Sequence, residues 1–260
     1  MKIAIISDIH ANTTALHKVL DDARSKGCER FICLGDIVGY GPDPNGTIEL
    51  CRQNDIDCIL GNHDAGVIGE LSHEWFSETA RYGIEWQEKE IVGENRKWLQ
   101  SLPQQRFEKI DGFSICFSHG TFSHPFGYIE YECDAKRELD KMALGNIQFL
   151  FVGHTHDAET FTANADGDIS NFMTWNSPDL SVKLSNHDRA IVNVGSVGYP
   201  RVQRCSYYVV YDTGCQVVSY NSIPFDFNEY REQLKKRQLN VPFWVNVECE
   251  GRHSLEIFKD

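Results

Sequence analysis

Short apolar runs recur along the chain, and most of them end on a polar cluster. Ile3 to Ile6 is continuously apolar and stops at Ser7 and Asp8, after which residues 12–26 place Ala15, Leu16, Val19, Leu20 and Ala23 at helical spacing. A strand feeding a helix is the predicted unit. The theme recurs where Arg30 to Leu34 runs into Gly35 and Asp36, and where Ile56 to Leu60 runs into Gly61 and Asn62. Alternating strand and helix units predict a mostly parallel sheet, in which ligands gather beyond the carboxyl ends of the strands.

Residues 66–105 read as helical, with Trp75, Phe76, Tyr82, Ile84, Trp86, Trp98 and Leu99 at spacings of three or four, and are expected to form a small cap beside a site. Phe113 to Phe117 and Ile147 to Val152 are further strand candidates, with a helix predicted over Asp134 to Leu144. The character then changes, because residues 158–189 are rich in Asn, Asp, Ser and Thr with only short apolar patches. Hairpins or an irregular insertion are expected there. Strands are predicted over Ala190 to Val194, Tyr207 to Asp212 and Gln216 to Tyr220, and a closing helix over Asn228 to Gln238. One α/β domain spanning 1–260, with the cap at 66–105 and the insertion at 158–189, accommodates these elements.

Composition narrows the class of protein. A hydrophobic fraction of 41% and a charged fraction of 24% are those of an ordinary globular chain. Nine cysteines, an odd number without a CxxC pair, suit buried free thiols, and no apolar run reaches membrane-spanning length. A cytoplasmic protein with no membrane partner is expected. The formal net charge of -13 repels a phosphate backbone at long range, so general nucleic-acid binding is not expected. A small phosphate ester is still admissible, since bound cations reverse the potential locally.

Candidate chemistry concentrates in five segments: Asp8 with His10, Gly35 with Asp36, Gly61 to Asp64, Ser118 to Gly120, and Gly153 to His156. Any one alone is weak, because an Asp and a His two apart, or a Gly beside an Asn, also serve caps and turns. All five at the ends of strand-like runs point to one binuclear metal centre. In an extended strand, residues two apart face one side, so Asp8 and His10 are expected to share an ion, as are His154 and His156. Asp36 is the candidate bridge, holding two ions about 3.5–4 Å apart. Mixed carboxylate and imidazole ligands suit two borderline divalent ions, manganese first, with Fe, Zn, Ni or Co as alternatives and Mg a less natural one. Two such ions against Asp8 and Asp36 leave net positive charge after a bound water ionises, which fits attack of a metal-bound hydroxide on a singly charged phosphodiester. His63, next to Asn62, is placed to give a proton to the leaving oxygen. His17, His73, His124, His187 and His253 are assigned surface or structural roles, and Asp64 and Asp157 either orient histidines or close turns.

The five segments, in this order, resemble the signature of the calcineurin-like metallophosphoesterase superfamily. Residues 35–44, 98–103 and 193–201 add similarity to a bacterial subgroup of small metallophosphoesterases and phosphodiesterases. The resemblance implies a four-layer α/β/β/α sandwich of two mixed sheets with the binuclear site at one edge. It also implies that Asp8, His10, Asp36 and His156 hold one ion and Asp36, Asn62, His119 and His154 the other, with His63 as general acid or transition-state stabiliser. Phosphoprotein phosphatases of the superfamily carry an Asp-Arg pair where this chain has Gly39 and Tyr40. That departure removes a phosphate-gripping arginine and tilts the expected substrate toward a small nucleotide or related diester. Tyr40, Tyr199 and Arg201 are the candidate substrate residues. A phosphomonoesterase or protein phosphatase, and a non-catalytic protein that keeps the fold for binding, are the competing readings.

Overall fold

In the computed structural model, which describes residues 1–174, 180–201, 205–224 and 227–239, the apolar runs become two mixed six-stranded sheets. The first has the order β3 (Asp57–Cys58), β2 (Arg30–Cys33), β1 (Lys2–Ile6), β11 (Cys205–Asp212), β12 (Val217–Pro224), β9 (Ser181–Lys183). The second has the order β4 (Gln105–Ile110), β5 (Phe113–Ser118), β6 (Phe149–Val152), β10 (Arg189–Val194), β7 (Ala158–Ala163), β8 (Ile169–Met173). Parallel pairing is confined to β1–β2–β3 and to β5–β6–β10. Strand and helix alternation predicted that part only; the remaining strands pair antiparallel, several through hairpins.

Continuous apolar runs are explained by burial on both faces. Along β1, Ile3 and Ile5 enter a core between the sheets, whereas Ala4 and Ile6 enter a core under helices. The outer core of the first sheet is covered by α1 (Thr13–Ser25), α2 (Pro44–Gln53), α3 (Asn62–Ile68), α4 (Glu78–Glu90), α5 (Gly93–Gln100) and α7 (Phe227–Lys236). On the second sheet, Phe149 and Phe151 face the shared core while Leu150 and Val152 pack under α6 (Glu132–Leu144). Three apolar layers thus separate four structural ones, the α/β/β/α sandwich.

Of the two forms expected for residues 158–189, the described residues take the hairpin: β7 and β8 pair at the edge of the second sheet, and β9 closes the first. The Thr and Glu residues of β7 are buried despite their polarity, with Thr160 bonded to the Tyr220 hydroxyl at 2.7 Å. Residues 175–179 of that segment lie outside the described residues, as does His253. Helix α2 went unread although Asp43 caps it, accepting from the Gly46 N–H at 3.0 Å, with Pro44 in the first turn.

The sheets are clamped along one edge. Arg30 of β2 makes paired 2.7 Å contacts to the Glu108 carboxylate of β4, and Arg106 of β4 reaches Asp57 of β3 at 2.6 Å. Among the described residues no helix is long and apolar enough to cross a membrane.

Candidate metal centre

Each ligand candidate sits where a strand has just ended. Asp8 and His10 follow β1, Asp36 follows β2, His119 follows β5, and His154 and His156 follow β6. Asn62 and His63 open α3. The backbone there is not extended: Asp8, His10, Asp36, His154 and His156 have φ of 54°, 48°, 51°, 70° and 67°. Such left-handed conformations cost non-glycine residues energy and persist only where the surroundings impose them. The surroundings here are a ladder of backbone bonds between loops, from Asp8 N–H to Gly35 O, His10 N–H to Asp36 O, and Gly198 N–H to Asp8 O.

This conformation corrects the strand-alternation argument. His154 does not share a cluster with His156: Asp8, His10 and His156 form one group, and Asp36, His119 and His154 form another. The turn between the two histidines divides them. Gly153 makes the turn possible, because a Cβ there would lie 2.0 Å from Ser7 Oγ and 2.4 Å from Asp8 Oδ2. In its place the His154 N–H donates to Asp8 Oδ2 at 3.0 Å, and the Asn193 amide donates to Gly153 O and Thr155 Oγ1.

Asp36 joins the two groups. Its Oδ1 accepts from the His63 N–H at 2.8 Å, while Oδ2 lies 3.3 Å from His119 Nε2 and 3.7 Å from His10 Nε2. Asn62 Oδ1 completes the second group, 3.0 Å from His119 Nε2. Burial opposes ionisation of Asp36, but the surrounding imidazoles hold its carboxyl below the usual range. His119 shows the reciprocal effect: burial opposes its charged form, yet the carboxylate of Asp36 raises it to about 9.

The donor set fits divalent cations. His10, His119 and His156 each turn Nδ1 onto a backbone carbonyl, of Val38, Leu34 and Tyr199 at 3.1, 2.9 and 2.6 Å. A carbonyl only accepts, so Nδ1 carries a proton and Nε2 is left facing the cluster, where Asp36 favours a positive charge beside it, a metal ion or, at His119 without one, a second proton. Yet His10 Nε2 faces His156 Nε2 at 3.3 Å, and His119 Nε2 faces His154 Nδ1 at 3.1 Å. Lone pairs directed at one another, with carboxylate oxygens between them, require positive charge in their midst. Buried Asp8 Oδ1, which makes no hydrogen bond, is another acceptor directed into the same space.

His63 lies beside these ligands, its ring 4.9 Å from that of His10 and 4.6 Å from that of Tyr40. It is also within 4.8 Å of donor atoms of His10 and Asp36. Burial pulls its conjugate acid down to about 3, so the ring stands neutral with one N–H to give. Gly39 is required against it: φ is 94°, and a Cβ would lie 2.3 Å from His63 Nδ1. Asp64 closes turns, accepting from the Val38 and Gly61 N–H groups at 3.0 Å.

Of the substrate candidates, Tyr40 and Tyr199 stack on each other, centroids 4.4 Å apart and planes 4° from parallel, with both edges toward His10. They form a wall of the site. Arg201 is exposed, makes no ion pair among the described residues, and is near enough to influence Tyr40, Tyr199 and His156 electrostatically. Sequence reasoning missed Gln87, which is wholly buried and holds the 39–41 turn by accepting from Gly39 N–H at 2.6 Å and donating to Gly41 O at 2.8 Å. It also missed Tyr128, whose ring lies 3.9 Å from that of His154. An aromatic in a Gly- and Pro-containing loop after His119 was the available signal.

With this geometry in place, the comparisons converge. The model of the calcineurin-like phosphoesterase superfamily domain matches residues 1–215. An uncharacterized protein of Methanocaldococcus jannaschii is 34% identical over 249 residues, covering 94% of this chain and 95% of the relative. A metallophosphoesterase structure from Sphaerobacter thermophilus is similar with a TM-score of 0.78 and 29% identity, covering 92% of this chain and 95% of that one. A hypothetical protein of Pyrococcus horikoshii shares the fold at a TM-score of 0.72 and 18% identity, covering 92% and 94%. The chain belongs to the calcineurin-like phosphoesterase superfamily, and it is a phosphoric ester hydrolase.

Proposed function

We propose that this chain is a two-metal phosphodiesterase acting on a small nucleotide or related diester. The observation that carries the reading is the set of buried imidazole nitrogens facing one another around a single carboxylate, Asp36. Asp8, His10, Asp36 and His156 would hold one ion, and Asp36, Asn62, His119 and His154 the other, with manganese the first candidate. When bound, the ions supply Lewis acidity and lower the pKa of water. The protein supplies the rest. Its ligands are preorganised by the carbonyls behind their rings, so little reorganisation is needed on reaction. His63 presents a neutral N–H beside Asp36, suited to stabilising a phosphoryl or leaving oxygen.

The preference for a diester rests on the rim. Gly39 is packed against His63 and Tyr40 is stacked on Tyr199, and at Tyr40 an arginine would otherwise grip a doubly charged phosphate. A position without a fixed positive charge suits the single charge of a diester better than the double charge of a monoester. Arg201 favours the second reading, a phosphomonoesterase, because an exposed guanidinium that makes no ion pair among the described residues and influences His156 suits a dianion.

Hydrolysis of bis-para-nitrophenyl phosphate beside para-nitrophenyl phosphate, by metal-stripped protein resupplied with Mn, Ni, Co, Mg or Zn, tests the reading. Diester turnover restored by Mn and absent in Asp36→Ala is expected. Faster monoester turnover selects the second reading, and no turnover of either compound with two ions bound overturns both.

A further inference from the structure

One aromatic ring at the rim is left with a face to offer. Tyr40 and Tyr199 use their faces on each other and are 9% and 4% exposed, so neither can receive a planar group. Tyr128 is 53% exposed, and among the described residues its one ring contact is with His154, at 3.9 Å and 33°. The loop that presents it is tightly held. Gly120 N–H donates to Pro125 O at 2.6 Å, Thr121 N–H and Gly127 N–H donate to His124 O, and His124 N–H donates to Thr121 Oγ1 at 2.9 Å. Gln105 anchors Thr121 O and Phe122 O from β4, and the carboxylate of Glu138 in α6 receives Ser123 N–H at 3.0 Å. With the backbone held up to Gly127 and the ring set against His154, little freedom is lost when something stacks on it. Its contact with His154, a member of one candidate cluster, and its exposed side set the ring between that cluster and solvent.

We propose that Tyr128 is a specificity-determining residue, the platform on which the nucleobase or aryl group of the substrate stacks while its phosphate reaches the cluster. The proposal rests on the reading of the site as a phosphodiesterase centre and names the class of diester, one with a planar aromatic substituent. The aromatic face tolerates any base, because every base has a π-face, so the selectivity is for planarity rather than for a particular nucleotide. The merely structural alternative is that Tyr128 does no more than brace His154.

Binding, rather than turnover, separates these. Calorimetry on the manganese-reconstituted full chain compares adenosine 5′-monophosphate with ribose 5-phosphate, which differ by the base. The wild type is expected to bind the nucleotide about tenfold more tightly. Tyr128→Phe retains that preference; Tyr128→Leu abolishes it while ribose 5-phosphate affinity and manganese content stay unchanged. An unchanged preference in Tyr128→Leu, no preference in the wild type, or equal weakening of both ligands with loss of manganese each overturns the proposal. A base preference in a protein that turns over no diester would sink the functional reading and leave the stacking site standing.

Discussion

The backbone N–H of His63 donates to Oδ1 of Asp36 at 2.8 Å, which turns the other oxygen of that carboxylate toward His119 and His10 at 3.3 and 3.7 Å. One hydrogen bond therefore decides which oxygen is available to bridge. Asp36→Asn keeps the shape and loses the charge. It is expected to lower diester turnover by at least about 100-fold and to reduce bound metal below two ions per chain. Atomic absorption beside circular dichroism checks this, since an unchanged fold with full metal content would remove Asp36 from the bridging role.

Loading the centre should stabilise the whole sandwich. Asp8, His10 and Asp36 come from the first sheet, and His119, His154 and His156 from the second, so ions bound between them favour the native state by mass action. At a hundredfold excess over Kd the gain is about 3 kcal/mol, or roughly 5–10 °C in melting temperature. Scanning calorimetry with manganese and with a chelator measures it.

Gln87 carries a different prediction. Leucine in its place leaves Gly39 N–H and Gly41 O buried without their partner, costing about 2–4 kcal/mol. Because the same turn positions Tyr40 beside His63, kcat should fall while bound manganese remains at two ions. Denaturant midpoints and metal analysis of Gln87→Leu report the two effects separately.

Glu159, buried in β7, holds its proton up to about pH 7, because burial outweighs the hydrogen bond from Asn171 and the charge of Asp157 adds to the shift. The folded chain thus binds more protons than the unfolded chain between the ordinary carboxyl range near 4.5 and pH 7. Stability must fall as pH rises through that window. Glu159→Gln should erase this part of the slope and stabilise the protein at pH 8 by on the order of 1–3 kcal/mol, with no gain at pH 4. Urea midpoints at the two pH values decide it.

Legibility in the sequence followed from how local each signal was. Strand ends, and the polar residues that gather beyond them, could be read because Ile3 to Ile6 or Phe149 to Val152 declare themselves by apolar continuity and the polar residues follow immediately. What the loops do could not be read. Asp8 and His10 looked like neighbours on a strand, whereas a left-handed backbone, imposed by contacts from residues 35–37 and 196–198, sets their directions. The same holds for His154 and His156, whose separation into two clusters depends on Gly153 lying against Ser7 and Asp8, nearly 150 residues away. Tyr128 and Gln87 escaped notice because their partners are distant in the chain and no local periodicity marks them.

Strand β11 lies between β1 and β12, so the first strand of the chain gains its second neighbour only from residues 205–212. The second sheet needs nothing beyond residue 194. During synthesis the sheet encoded later can therefore be complete while the one begun first still exposes the edge of β1. At ribosomal rates of about 5–20 residues per second, that edge stays open for on the order of ten seconds after β3 emerges. An unpaired hydrophobic strand is a template for mispairing. The order of assembly makes the nascent chain, rather than the finished enzyme, the state most in need of a chaperone.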